Sequence, residues 1–264
     1  MIPGSEVMKH IRWGINNFRK YRDSEYYKIT PRFILSELVS KTNRIEHYEK
    51  YSLYEEQRRL EMITPEERAD INAAKDFAES ELYGIRDLGR FPLMDYALSH
   101  VDIDGVWAEF GVYRGESINH IASSGGHTVH GFDSFMGLPE DWNSYLKKGL
   151  FNLKSRLPRV ENNVKLHVGL FSDTLPGFKS EIGDSPIAFL HVDCDLYSST
   201  VDIFRHLEEN IVPGTVILFD EFYNYPGWSK HEFRAFNEFI SSTGKSYQYI
   251  GYNSNAEQVA LIIL

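Results

Sequence analysis

The sequence predicts an α/β fold: a mostly parallel seven-stranded sheet that ends in an antiparallel hairpin and is preceded by a helical extension. Three observations predict it. From Gly105 onward, short apolar runs alternate with amphipathic segments, the pattern of parallel strands joined by crossover helices. The last two apolar runs, Tyr247 to Tyr252 and Gln258 to Leu264, are separated only by Asn253 to Glu257. That gap is too short for a crossover helix, so the two strands pair antiparallel. The first hundred residues carry helical spacing with no competing strand pattern.

Taken in order, Val7, Ile11, Ile15 and Phe18 fall at helical spacing, and Phe33 to Val39 gives a second short apolar segment. Thr64-Pro65-Glu66-Glu67 combines an N-cap, a proline at the first helical position and a capping-box glutamate. Ile71, Ala74, Ala78 and Leu82 then make one face of a helix running from about Pro65 to Arg86. Phe91-Pro92 opens another, carrying Leu93, Ala97 and Leu98 to a turn at Asp102 to Gly105. The chain is therefore divided into a helical extension over residues 1–100 and a sheet domain over residues 101–264. In the latter, strands are expected at Val106 to Gly111, Thr128 to Asp133, Val164 to Gly169, Ile187 to Asp193 and Thr215 to Asp220. Helices are expected near Ser117, Trp142, Thr174 and Thr200, and around His231 to Ser241.

Composition excludes several classes. At 264 residues, 42% hydrophobic and 25% charged, the chain has ordinary globular make-up. No stretch approaches the ~20 apolar residues of a membrane span. The start lacks the pattern of a secretory signal, and the single cysteine, Cys194, has no partner within the chain, so a reducing cytoplasm is expected. A net charge of -10 and the lack of a Lys/Arg run argue against a nucleic-acid substrate. The chain is expected to act alone or as a homo-oligomer.

The first core strand ends in Glu109-Phe110-Gly111-Val112-Tyr113-Arg114-Gly115, with Glu116-Ser117 opening a helix. Glycines let the backbone turn tightly against a ligand, and a helix N-terminus supplies N–H donors. Such turns also occur where nothing binds, so context decides. Asp133 ends the next strand, about 20 residues on, where an acid accepts hydrogen bonds from ribose hydroxyls; a lone Asp there is otherwise a helix or turn cap, and its pairing with the glycine turn favours the ribose. Tyr113 replaces the middle glycine of a pyrophosphate cradle, which favours a phosphate-free cofactor, S-adenosylmethionine. Phe171 and Ser172, after the third strand, are placed to flank its adenine, the alternatives being a core phenylalanine and a helix-capping serine.

The fourth and fifth strands deliver Asp193, Asp195, Asp220 and Glu221 to the carboxyl edge, where ligands of open α/β sheets bind. Crowded carboxylates raise one another's pKa unless a cation, either Mg²⁺ or an Arg/Lys partner, relieves them. Transfer of a methyl group to a hydroxyl needs a proton acceptor. Asp193 is the expected base. His191 is the runner-up, more readily read as a core histidine, and His231 a weaker one.

Four ordered segments, Glu109 to Gly115, Phe132 to Pro139, Ser172 to Pro176 and His191 to Thr200, together resemble the macrocin O-methyltransferase family over about residue 85 to the C-terminus. The resemblance implies a Rossmann-like class I methyltransferase that methylates sugar hydroxyls with S-adenosylmethionine and Mg²⁺. It places the metal on Asp193, Asp220 and Glu221. It places cofactor contacts on Glu109, Gly111, Tyr113, Ser117, Asp133 and Ser134, with Gly115 in the same turn. Cys194 departs from a glycine common in the family, and Asp220-Glu221 from an Asp-Asp pair. The segment Phe222 to Trp228 is expected to be an aromatic loop over the acceptor pocket.

Overall fold

The computed structural model describes residues 63–144 and 146–264. The helical spacing at Val7 to Phe18 and at Phe33 to Val39 lies outside the described residues. Helix α1 (Pro65–Glu81) starts as its sequence dictates. The Thr64 hydroxyl accepts the Glu67 N–H at 3.1 Å, and the Glu67 carboxylate accepts the Thr64 N–H at 2.7 Å. It ends before the expected Arg86, because Arg86–Asp87 forms a short strand, β1. Helix α2 (Arg90–Leu98) follows, and its Leu93, Met94 and Ala97 are fully buried.

The remaining elements are β2 (Val106–Phe110), α3 (Glu116–Ser123), β3 (Val129–Asp133), β4 (Val164–Val168), α4 (Phe171–Ile182), β5 (Ile187–Val192), α5 (Tyr197–Leu207), β6 (Val216–Phe219), a 3₁₀ turn (Trp228–Lys230), α6 (Glu232–Thr243), β7 (Tyr247–Tyr252) and β8 (Val259–Ile263). They form one eight-stranded sheet in the order β1-β7-β8-β6-β5-β2-β3-β4. Strand β8 lies antiparallel between β6 and β7, as the short terminal connection requires, and every other pairing is parallel. The eighth strand is β1, too short to show a period in the sequence.

One expected helix is absent. Residues near Trp142 form turns, because local side chains take the hydrogen bonds a helix would need. Asp141 accepts the Lys148 N–H at 2.8 Å, and Asn143 accepts the Leu146 N–H at 2.9 Å.

The central strands are buried on both faces and sort their side chains with period 2. On β5 and β6, Phe189, Val216 and Leu218 face α2 and α3, whereas Leu190, Ile217 and Phe219 face α4, α5 and α6. This alternation decides which site residues meet.

Candidate functional site

The site lies at the carboxyl edge of β2, β3, β5 and β6. A non-glycine residue with positive φ follows each strand: Tyr113 (44°), Phe135 (54°), Asp195 (66°) and Asn224 (67°). Strained backbone of this kind persists where surrounding structure enforces it, and it clusters at ligand sites.

After β2 the chain turns at Gly111, whose φ is 99° and whose added Cβ would collide with the Asp193 carbonyl. No other residue type fits there, and the turn is thereby pressed against the end of β5. Asp133 fastens it. One carboxylate oxygen accepts the Val112 and Tyr113 N–H groups at 3.0 and 2.7 Å, and the other accepts the Phe135 N–H at 2.6 Å. The Ser134 hydroxyl accepts the Met136 N–H, Gly115 caps α3, and Ser117 is buried on the first turn of that helix. Phe171 opens α4 edge-on to Phe110 with centroids 5.1 Å apart, while its neighbour Ser172 is exposed.

Glu109, His191, Asp193 and Asp220 share the α2-facing parity of their strands and form a chain of charged groups. The buried Glu109 carboxylate accepts the Ser117 hydroxyl at 3.1 Å and, through its other oxygen, meets His191 Nδ1 at 2.8 Å. His191 Nε2 stands 3.9 Å from Asp220, too far for a hydrogen bond. Burial opposes charging of His191, but the Asp220 and Glu109 carboxylates outweigh it and raise its pKa to about 10. The balance favours the imidazolium, which bonds Glu109 directly and acts on Asp220 through its charge alone. It has no exposed surface.

Sequence reasoning missed the cation at this edge. Arg90, the first residue of α2, donates from Nε to Asp220 at 3.1 Å and from Nη2 to Asp193 at 3.3 Å. Its burial disfavours charge, yet Asp220 and Asp193 raise its pKa further above the ordinary value. Burial works against the Asp220 carboxylate as well, but His191 and Arg90 lower its pKa to about 2. Asp193 is pushed the other way by burial and by Asp220. The only signal for Arg90 in the sequence is a basic residue at the start of a helix.

His191, Asp193 and Asp220 each place one ligand atom within 4.8 Å of the others. Glu221 is not in that group. It follows Phe219 in parity and falls on the α6 side, where burial and the nearby acids raise its pKa and its Oε2 has no partner. Glu232 of α6 joins it there, fully buried, its Oε1 accepting the Cys194 and Asp195 N–H groups at 3.2 and 3.1 Å. Sequence reasoning missed Glu232 too, since one acid in the first turn of a helix is ordinarily a solvated favourable charge.

The aromatic segment divides. Phe222, Tyr223 and Trp228 pack on Phe77 of α1 as core. Tyr225 turns instead toward Trp142, with ring centroids 5.4 Å apart. Two hydrogen bonds hold the Trp142 segment down, Ser144 to Glu67 and Ser198 to Glu140, both 2.6 Å.

Residues 108–222 match a family model described as a methyltransferase domain. A curated relative from Streptomyces olivaceus, 8-demethyl-8-(2,3-dimethoxy-alpha-L-rhamnosyl)-tetracenomycin-C 4'-O-methyltransferase, is 28% identical over 162 residues, covering 51% of this chain. The chain spans about 60% of that relative's length. Among solved structures, a calicheamicin methyltransferase superposes with a TM-score of 0.52 at 19% identity, over 75% of this chain and 93% of the other. The fold is thus the Rossmann-like class I methyltransferase fold expected from the strand order and terminal hairpin. Among the described residues no helix is long and apolar enough to cross a membrane.

Proposed function

We propose that this chain, starting from the methyltransferase domain that residues 108–222 match, moves the methyl group of S-adenosylmethionine onto a hydroxyl of a sugar or glycosylated small molecule, assisted by Mg²⁺. The observation that carries the reading is the juxtaposition of the Asp193 and Asp220 carboxylates with the Gly111 turn, which abuts the Asp193 backbone. The Streptomyces olivaceus relative, a 4'-O-methyltransferase of a rhamnosyl-bearing tetracenomycin, supports the acceptor class.

The residues fit both groups. Asp133 fixes the turn from Val112 to Tyr113 and, with the Phe135 N–H on its other oxygen, keeps one lone-pair site for a ribose hydroxyl. Gly111, Tyr113 and Gly115 line the same turn, Ser134 follows Asp133 at the end of β3, Glu109 and Ser117 bond each other beneath the turn, and Phe171 and Ser172 would flank the adenine. For the metal, Asp193 and Asp220 offer hard oxygen donors on the α2 side, whereas Glu221, the third acid of the expected set, lies on the α6 side outside that group. Mg²⁺, when bound, lowers the pKa of the acceptor hydroxyl. Asp193 has the more open of the two paired aspartate side chains, 22% exposed against 8% for Asp220. It takes the hydroxyl proton as the acceptor oxygen bonds to the methyl carbon and the carbon–sulfur bond breaks. His191, fully buried, bonded to Glu109 and with its pKa raised, is the poorer base and positions Glu109.

Calorimetry with S-adenosylmethionine tests the reading, and a folded protein that takes up none of it would sink the proposal. Asp193→Asn should bind the cofactor as wild type does and lose at least about 100-fold in turnover of a rhamnosylated acceptor. Arg90 favours a second, metal-independent reading, because its guanidinium already bridges Asp193 and Asp220. Turnover that persists undiminished in a chelator would select it.

A further inference from the structure

Asp193 leads directly into a tight turn. The Leu196 N–H donates to the Cys194 carbonyl at 2.7 Å, closing a three-residue turn with Asp195 at its centre and a φ of 66°. Positive φ at the central residue marks the rarer, strained form of such a turn. Strained backbone persists where its surroundings over-determine it. Here one side-chain atom does so. The other two N–H groups of the turn, those of Cys194 and Asp195, converge on Glu232 Oε1 at 3.2 and 3.1 Å. Successive N–H groups that converge in this way form an anion-binding nest, and a carboxylate from α6 fills it. Glu232 has no exposed surface, so without its oxygen two buried donors would be left unpaired.

The consequence falls on Asp193. Its carbonyl and the Cys194 N–H belong to one peptide group, which is held at both ends. The carbonyl end lies against Gly111, where a Cβ would collide with it, and the N–H end donates to Glu232. The peptide group before Asp193 is fixed by the sheet, since the Asp193 N–H donates to the Phe110 carbonyl at 2.9 Å. Both backbone dihedrals of Asp193 are thereby set, and side-chain rotamers depend on those dihedrals. Resting on the methyltransferase reading above, we propose that Glu232 is a positioning residue of the transfer: its Oε1 holds the turn after β5 and so aims the Asp193 carboxylate at the hydroxyl to be methylated. Glu232 itself touches neither substrate nor cofactor. It acts through the backbone alone.

Steady-state kinetics with S-adenosylmethionine and methyl α-L-rhamnopyranoside, beside calorimetry of cofactor binding, test the proposal. Glu232→Gln keeps an oxygen that accepts both N–H groups and should hold kcat within about threefold of wild type. Glu232→Met keeps the length of the side chain but accepts neither bond. It should lower kcat about 100-fold, with cofactor affinity and the KM for the glycoside nearly unchanged. Phe239→Leu, on the same helix and stacked on Phe204, should melt at lower temperature yet retain wild-type kcat, which separates positioning from a general loss of stability. Should Glu232→Met not fold, Glu232→Asp, which draws the carboxylate back by one carbon–carbon bond of about 1.5 Å, should show the same fall in kcat. Wild-type kcat in Glu232→Met or Glu232→Asp would overturn the proposal. So would equal losses in Glu232→Gln and Glu232→Met, which would assign the effect to charge, or a rise in KM with kcat retained. A loss of kcat in Phe239→Leu as large as in Glu232→Met would overturn it too. A folded wild-type protein that binds no S-adenosylmethionine, or binds it and methylates no glycoside, strikes the methyltransferase reading instead, so the two failures are distinguishable.

Discussion

Asp195 shows how one residue can be costly where it stands and still belong there. Its φ of 66° is a conformation that Asn and Asp tolerate better than other side chains, and it lets the chain leave β5 for α5. Burial, with the Asp220 and Asp133 charges adding to it, raises its carboxyl from 3.8 to about 8. For a carboxyl raised on folding, the penalty is nil below the unfolded value, grows between the two pKa values and is full above the folded one. Asp195→Asn keeps the favoured backbone and removes the charge. It should leave stability unchanged near pH 4 and raise it by roughly 2 kcal/mol at pH 8, as read by urea unfolding at each pH. A gain of equal size at both pH values would contradict the assignment. Asp220 behaves oppositely: its pKa of about 2 lies below the usual carboxylate value, so its contribution is present at neutral pH and is lost as the solution is acidified toward pH 2.

At the scale of elements, the turn between β2 and α3 is the joint on which the site depends. It is held from two directions, by Gly111 against the end of β5 and by Asp133 gripping the Val112 and Tyr113 N–H groups. Gly111→Ala should destabilise the fold by about 2–4 kcal/mol, combining positive-φ strain with overpacking, and should abolish cofactor uptake before unfolding is complete. Thermal melts with and without S-adenosylmethionine read both effects, and an alanine variant with wild-type cofactor affinity would remove the turn from the site. The position of Asp133, ending β3 about 20 residues after a glycine turn, was legible in the sequence, which assigned it to ribose hydroxyls; its grip on the Val112 and Tyr113 N–H groups, the capping use of an aspartate, is visible only in the structure. The turns around Trp142 were not legible there. Their hydrogen bonds to Glu67 and Ser198 join residues 77 and 58 positions apart.

Across the whole molecule, the sheet gathers Asp193, Asp195, Asp220, Glu221 and Glu232 at one edge, with His191 and Arg90 as the basic groups paired among them. A divalent cation bound there, as proposed, would compete with protons on the raised carboxyls and with Arg90 for Asp193 and Asp220. Mg²⁺ should therefore raise the melting temperature by a few degrees at pH 8 and by clearly less at pH 5.5. Calorimetric scans at the two pH values measure this. A shift of the same size at both would mean that the ion binds elsewhere.

The sequence by itself determined the order of the strands from β2 to β8, the parallel core, the antiparallel end and the acids that reach the carboxyl edge, though not β1 or the turns near Trp142, because hydrophobic period, turn residues and connection length are local properties. Only the tertiary structure decided which acids face one another. Strand parity sends Glu109, His191, Asp193 and Asp220 toward α2, and Glu221 toward Glu232 and Tyr225. Arg90 reaches Asp193 across 103 residues and Asp220 across 130. No spacing rule connects residues so far apart, since their meeting depends on the order of strands in the sheet and on the face against which each helix packs.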